Sequence, residues 1–118
     1  MKKILIIEDD ENFGSDLADF LERRGFSVLR ATKIKDAIEM FLENKVDIEL
    51  IALDGCVDSQ EHELDTVPLI KLFRKEEYTS HIVAISNNAL HRTEMCFEGC
   101  SHQCPKYAVH LLIIGLLK

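Results

Sequence analysis

The segment Ile48-Glu-Leu-Ile-Ala-Leu-Asp-Gly-Cys56 decides how the rest of this sequence is interpreted. Its mostly apolar, strand-forming residues run up to Asp54, and Gly55 follows at once. Such runs are typical of strands in a parallel sheet, which are buried on both faces. Open α/β sheets place their ligands beyond the carboxyl ends of the strands. The segment therefore predicts a buried strand that carries the Asp54 carboxylate to the edge of a sheet, although an Asp-Gly pair after a strand is also a common turn.

Composition bounds the class of protein. The chain has 118 residues, of which 47% are hydrophobic and 30% charged, as expected of a single globular domain spanning residues 1–118. Its net charge of −7 argues against binding to nucleic acid or to an anionic membrane. The first apolar run is only four residues long and is closed by acids, which does not fit a secretory signal. We therefore expect a cytoplasmic protein with four reduced cysteines.

The order of apolar segments predicts the fold. Short apolar runs predict four strands, over residues 3–7, 26–29, 48–54 and 81–85, and residues 101–104 are expected to form a short fifth one. Between them apolar residues recur at helical spacing, with Thr32 as a candidate N-cap of the second helix and Pro68 near the start of the third. Gly25 and Gly99 are expected to end the first and fourth helices. This alternation predicts an α/β fold with a doubly wound five-stranded parallel sheet, strand order 2-1-3-4-5, and helices on both faces.

Polar residues stand at the ends of four of the predicted strands. They are Glu8 and Asp9 after the first strand, Asp54 in the third, Ser86 after the fourth and Lys106 after the fifth. The order 2-1-3-4-5 makes the first and third strands neighbours, which would gather the three carboxylates at one edge. Three carboxylates that close together repel one another unless a cation offsets their charge, and hard oxygen ligands suit Mg²⁺. A hydroxyl and an ammonium beside a metal would suit phosphoryl chemistry.

In these residues the sequence resembles the receiver domain of two-component response regulators, the CheY-like family, over essentially its whole length. The segment from Lys3 to Glu11 is similar to the family's first strand and acidic pair, with Glu8 and Asp9 as the pair. Asp54 falls at the position of the phosphoacceptor and Ser86 at that of the Ser/Thr after the fourth strand. The segment Glu98-Gly-Cys-Ser-His-Gln-Cys-Pro-Lys106 places Lys106 on the family's invariant lysine.

The resemblance implies a function. Asp54 would be the nucleophile that takes a phosphoryl group from a histidine kinase or a phosphotransfer protein. Mg²⁺ would be held by Asp9, Asp54, the backbone carbonyl of Cys56 and, mainly through water, Glu8. Lys106 and Ser86 would hold the phosphoryl oxygens. The chain would then be a signalling domain, standing alone or part of a longer regulator, that catalyses only its own phosphoryl transfer and dephosphorylation.

Several residues depart from the family pattern. Gln103 stands where a switch Tyr or Phe is usual, and Asp58 replaces a common Pro. Asn87 replaces a small residue beside the phosphoryl pocket. Tyr107 replaces the Pro that follows the lysine, so we expect either a trans peptide bond or a strained one there. The alternative is therefore a degenerate receiver that acts as a phosphorylation-independent interaction module. A flavin-binding flavodoxin relative is disfavoured because the first loop carries acids in place of glycines, and a dehalogenase-type phosphatase because position 56 is not Asp.

Two further features leave alternatives open. Cysteines 96, 100 and 104, with His91 and His102 nearby, could bind a metal, or could be buried thiols, with Cys96 and Cys100 on the inner face of the fourth helix and Cys104 on a strand. The last helix, from Val109 to Leu117, is apolar nearly all round. Either it is cut short, or the face formed by helix 4, strand 5 and helix 5 binds a partner or a second copy of the chain.

Overall fold

The computed structural model describes residues 2–118 and has eleven elements of regular structure in that range. The strands are β1 Lys3–Ile7, β2 Ser27–Ala31, β3 Ile48–Asp54, β4 His81–Ile85 and β5 His102–Cys104. The helices are α1 Glu11–Glu22, α2 Ile34–Asn44, α3 Val67–Lys75, α4 Ala89–Phe97 and α5 Val109–Leu116, with a 3₁₀ turn at Lys106–Ala108 before α5.

All four strand pairings are parallel, and the sheet order is β2-β1-β3-β4-β5. This confirms the predicted α/β fold and strand order. Apolar side chains of the central strands enter two separate cores, one on each face of the sheet. One core is shared with α2, α3 and α4, and the other with α1 and α5. Because each central strand is covered on both sides, its sequence is apolar at consecutive positions rather than at alternate ones.

Helix boundaries were predicted well except at the start of α2. Pro68 lies in the first turn of α3, and Gly25 and Gly99 lie just beyond α1 and α4 with φ of +90° and +137°. The prediction of Thr32 as an N-cap was wrong. Lys33 holds that position without a side-chain hydrogen bond, and the Ile34 N–H instead donates to Asp58 Oδ1 at 3.2 Å. The carboxylate that caps α2 comes from a different loop, which local sequence does not reveal.

The cysteines lie on different faces of the sheet. Cys96 is half-buried on α4, but the prediction of Cys100 on that helix was wrong, because the helix ends at Phe97 and Cys100 is buried in the following loop. Cys104 packs in the core on the α1 and α5 side, whereas Cys100 packs in the opposite core. Burial raises the pKa of Cys100 to about 12, which keeps this thiol protonated and unreactive. Among residues 2–118 these thiols do not form a metal-ligating cluster with the histidines.

Helix α5 is short. Val109 and Ile113 face the core, while Leu111 is 67% exposed. Across residues 2–118, none of the helices combines the length and the apolar character that a membrane crossing requires.

Candidate functional site

Parallel pairing brings the polar residues at the ends of four strands to one edge of the sheet. Glu8 follows β1, and the pairing of Ile7 with Leu53 sets it beside Asp54, the last residue of β3. Asp54 in turn pairs with Ile85, so Ser86 comes next on the neighbouring strand. Asp9, Asp54, Cys56, Ser86, Asn87 and Lys106 line a single cavity of about 330 Å³, together with Asp10, His62, Asn88 and His91.

Three carboxylates meet beside this cavity. Glu8, Asp9 and Asp54 each offer an oxygen atom, and the three atoms lie within 4.8 Å of one another. Glu8 is 1% exposed, so its ionised form has lost almost all contact with water. Burial, together with the hydrogen bond and the charge of Asp54, raises the pKa of Glu8 to about 7. Burial also raises the pKa of Asp9, helped by the neighbouring Glu8.

Lys106 is the cation that partly offsets these charges. Its Nζ lies 2.7 Å from Glu8 Oε1 and 3.5 Å from Asp54 Oδ2. Its ammonium also stands 5.2 Å from the centre of the Phe13 ring, a cation–π arrangement. Burial lowers the pKa of Lys106, but the two carboxylates outweigh it and raise the pKa above its usual range. One ammonium is thus shared by two buried acids.

The Asp54 carboxylate is held in a fixed orientation. Its Oδ1 accepts the Gly55 N–H at 2.7 Å, and its Oδ2 faces Lys106. Burial raises the pKa of Asp54, opposed by a hydrogen bond from Glu8 and by the charge of Lys106. The Thr66 hydroxyl, fully buried, donates to the backbone oxygens of Asp54 and Gly55. These contacts fix the carboxylate at the floor of the cavity.

The loop after Asp54 is organised by a residue that sequence reasoning did not assign to the site. Asp65 accepts the backbone N–H groups of residues 57, 58 and 59 at 2.7–2.9 Å. Its own N–H donates to the Gly55 carbonyl at 2.9 Å, which closes the loop. The thiol of Cys56 donates to the Ser59 carbonyl. The signal available in the sequence was an Asp three residues before Pro68 at a helix start.

The other predicted residues flank the cavity. The Ser86 hydroxyl oxygen accepts the Asn88 N–H at 3.0 Å, and Asn87 Oδ1 accepts the Lys106 N–H at 3.1 Å. Asn87 thus ties the β4 loop to the β5 loop. Tyr107 is 80% exposed, and its peptide bond to Lys106 is trans, one of the two outcomes expected.

Gln103 lies outside the cavity on β5. Its Oε1 accepts the Arg92 Nε–H at 3.3 Å, and Arg92 Nη1 donates to the Ser86 carbonyl at 2.6 Å. Arg92 was missed from the sequence, where it reads as an ordinary charge on an exposed helix.

The cluster fits a small hard divalent cation. Its donors are carboxylate oxygens, and the open cavity beside them leaves room for water and for a phosphoryl group. All three acids have pKa values raised by burial and by a neighbouring carboxylate, and a bound cation would relieve both effects. The described residues therefore match the donor chemistry that Mg²⁺ prefers.

Comparison with known proteins supports one family. The chain is 26% identical to a two-component response regulator from Clostridium difficile, covering 99% of this chain and 96% of that chain with a TM-score of 0.82. It also superposes, at 23% identity and a TM-score of 0.80, on a response regulator from Burkholderia pseudomallei crystallised with a phosphorylated aspartic acid, calcium and citrate, covering 100% of this chain and 67% of that one. The second likeness speaks for the fold alone.

Curated proteins give shorter matches. The transcriptional regulatory protein YxdJ of Bacillus subtilis is 30% identical over 95 residues, which is 74% of this chain and 41% of that protein. Hybrid signal transduction histidine kinase M of Dictyostelium discoideum is 42% identical over 57 residues, 48% of this chain and 2% of that protein. The chain thus spans less than half the length of either curated relative. No family model matches it. The chain therefore has the fold of the response-regulator receiver domains of the CheY-like type, and its sequence is similar to that of a response regulator and of a transcriptional regulatory protein.

Proposed function

We propose that the chain is a phosphoacceptor in a two-component system, working in the cytoplasm, and that Asp54 takes a phosphoryl group from a histidine kinase or a phosphotransfer protein. One observation carries the proposal. Asp54 stands at the carboxyl end of the central strand with Lys106 Nζ at 3.5 Å, Glu8 and Asp9 within 4.8 Å, and an open cavity in front. A carboxylate so placed has a nucleophilic oxygen, a cation to neutralise the incoming anion, and space for it.

The reaction is a transfer between two proteins. An Asp54 oxygen attacks phosphorus of a phosphohistidine, the new O–P bond forms as the P–N bond breaks, and the imidazole leaves with the electron pair. Gly55 N–H holds the carboxylate in position. The ammonium of Lys106 is close enough to turn from Asp54 toward a phosphoryl oxygen. The Ser86 hydroxyl oxygen is already engaged by the Asn88 N–H, so its own hydrogen remains free to donate to another.

Mg²⁺ fits the same site. Asp9, Asp54 and the Cys56 carbonyl would hold it directly and Glu8 would hold it through water, and when bound it would neutralise charge on the transferring oxygens. Lys106, whose Nζ lies 2.7 Å from Glu8 Oε1, would then share with the metal the task of offsetting the carboxylates.

Intact mass spectrometry after incubation with acetyl phosphate and Mg²⁺ tests the proposal. We expect the wild type to gain the mass of one phosphoryl group, and Asp54→Asn and a chelator each to abolish the gain. Asp19→Asn makes the same chemical change on the exposed surface of α1 and should leave the gain intact. A wild type that keeps its unmodified mass would overturn the proposal.

That outcome would favour a second candidate, an interaction module that works without phosphorylation. Gln103 favours this second candidate, because it stands where the family usually has an aromatic ring that rotates, and its side chain instead accepts a hydrogen bond from Arg92. In either case we propose that a partner or a second copy of the chain binds the face formed by α4, β5 and α5. Large apolar side chains are exposed on these two helices: Leu90 is 81% exposed, Phe97 86% and Leu111 67%. Analytical ultracentrifugation with and without a phosphoryl mimic would report dimerisation.

A further inference from the structure

Arg92 connects Ser86, which lines the cavity, with Gln103, which lies outside it on β5. It lies in the first turns of α4, and its Nη1 donates to the Ser86 carbonyl at 2.6 Å while its Nε donates to Gln103 Oε1 at 3.3 Å. Its backbone N–H donates to the Asn88 carbonyl at 3.1 Å. The guanidinium therefore reaches back across the loop that carries Ser86 and closes it against the helix.

The Ser86 hydroxyl oxygen is held by the Asn88 N–H at 3.0 Å, whereas the Ser86 main chain is held more weakly by the strand ladder. Its N–H donates to the Cys104 carbonyl at 3.4 Å, a long hydrogen bond at the end of the sheet. The Arg92 contact at 2.6 Å is short and charge-assisted, and such bonds are about twice as strong as neutral ones. Of these two contacts to the Ser86 main chain, the one from Arg92 is therefore the stronger.

Gln103 is the second acceptor for the guanidinium, at 3.3 Å. It sits on the exposed edge strand β5, paired in register with Ala84. Guanidinium donors lie in a rigid planar fork, so an acceptor on Nε also sets the direction of Nη1. A lysine in place of Arg92 has a point-like ammonium and cannot reproduce this fork.

We propose that Arg92 is a positioning residue for phosphoryl binding at Asp54: it acts through Ser86, whose loop it holds, and Gln103 orients it. This inference rests on the proposed phosphoacceptor function. Movement of the Ser86 loop toward a phosphoryl group would pull on Arg92 and on Gln103, so a polar connection takes the place of the missing aromatic ring. The Ser86 hydroxyl and the exposed surface of β5 are thereby joined through a single side chain.

The rate of phosphoryl uptake from acetyl phosphate and Mg²⁺ tests the proposal. Arg92→Ala should slow uptake roughly tenfold, less than the loss of about a hundredfold or more that removal of a whole donor costs. Arg92→Lys should recover part of the rate, because an ammonium can still reach one acceptor. Gln103→Glu should stay close to the wild type, since the acceptor oxygen is kept, whereas Gln103→Leu should resemble Arg92→Lys.

A double-mutant cycle separates positioning from general stabilisation. In the Ser86→Ala background Arg92→Ala should have little further effect, because the hydroxyl that Arg92 positions is gone. Arg74→Ala is the matched control, since Arg74 also binds backbone carbonyls, of Gly99, Tyr78 and Ser80, at the other end of the strands. It should lower stability and leave the uptake rate unchanged.

The outcomes distinguish the two claims. A wild type that takes up no phosphoryl group overturns the proposed function and this inference with it. If the wild type takes up the phosphoryl group and both Arg92→Ala and Arg92→Lys take it up as fast as the wild type, the inference alone is overturned. An Arg92→Ala defect of the same size with and without the Ser86 hydroxyl also overturns it, because Arg92 would then act on the fold as a whole.

Discussion

The two ends of the sheet use charge in opposite ways. At the amino ends of β4 and β5, Arg74 donates to three backbone carbonyls at 2.6–3.0 Å, so one cation satisfies acceptors that would otherwise lack partners. At the carboxyl ends, one ammonium serves two buried carboxylates and a third acid lies close by. The first arrangement lowers the free energy of the fold, while the second leaves charge uncompensated where an ion or a phosphoryl group would bind. The proposed site thus lies at the end of the sheet where folding gains least from its charges.

The largest effect is expected at the amino end. Arg74→Ala leaves three partly buried carbonyls without their donor, and hydrogen bonds to charged groups contribute about 1.5–3 kcal/mol each. We expect the free energy of unfolding to fall by about 4 kcal/mol, since water can replace part of the loss. Urea denaturation measures it. Lys71 also lies on α3 and pairs with Glu98, and Lys71→Ala, which removes this partly exposed ion pair, should cost less than about 1 kcal/mol.

An Arg74 variant as stable as the Lys71 variant would contradict the contrast between the two ends.

The acids at the carboxyl ends of the strands should make the stability of the fold depend on pH. The pKa of Glu8 rises from 4.5 to about 7 on folding, so the folded state holds more protons than the unfolded state between these values. The corresponding stability is complete below pH 4.5 and is lost as the pH rises through 7, by roughly 3 kcal/mol. Urea midpoints measured from pH 5 to pH 8 should therefore fall, and Glu8→Gln should remove most of that slope.

Magnesium sharpens the same measurement. A cation favours the ionised carboxylates, so Mg²⁺ should flatten the pH slope of the wild type and leave that of Glu8→Gln nearly unchanged. His102, whose pKa is lowered by burial and by His81, works in the opposite direction, because its stability contribution grows as the pH rises. The difference between wild type and Glu8→Gln isolates the Glu8 contribution. If the urea midpoint of Glu8→Gln still falls with pH as steeply as that of the wild type, the group that binds the proton is not Glu8.

The smallest effect is expected for an exposed pair at the amino end. Lys45 Nζ lies 3.2 Å from Glu76 Oε1, and both side chains are more than a third exposed. Such pairs contribute about 0.5 kcal/mol or less, because water screens them. Glu76→Gln should therefore change the urea midpoint little, with Glu39→Gln, an exposed acid on α2, as its control. If Glu76→Gln lowered the free energy of unfolding as much as Arg74→Ala does, exposure would not explain the difference between this ion pair and the hydrogen bonds of Arg74.

The sequence predicted the sheet and the positions of the polar residues, but not the contacts between loops. Strands β1, β3 and β4 were predictable because buried parallel strands are apolar at consecutive positions. Once the strand order is set, Glu8, Asp54 and Ser86 follow at their ends. The cap that Asp58 provides for Ile34 joins residues 24 positions apart and leaves no local pattern.

Arg92 was missed for a related reason. An arginine on an exposed helix usually points to solvent, and nothing in its neighbours marks this one as turned back toward Ser86. Its partner Gln103 was noted only for lacking a ring. Long side chains choose among several acceptors after the backbone is built, so their choice depends on loop geometry that hydrophobic periodicity does not encode.

Asp65 has a consequence for how quickly the site can be filled. Because its carboxylate holds three consecutive N–H groups, the segment after Gly55 is already ordered before anything binds. The entropy of fixing that segment is lost when the chain folds, and an incoming ion or phosphoryl donor does not have to supply it again. The encounter with a donor is therefore expected to be limited by diffusion and orientation rather than by the closing of a flexible rim.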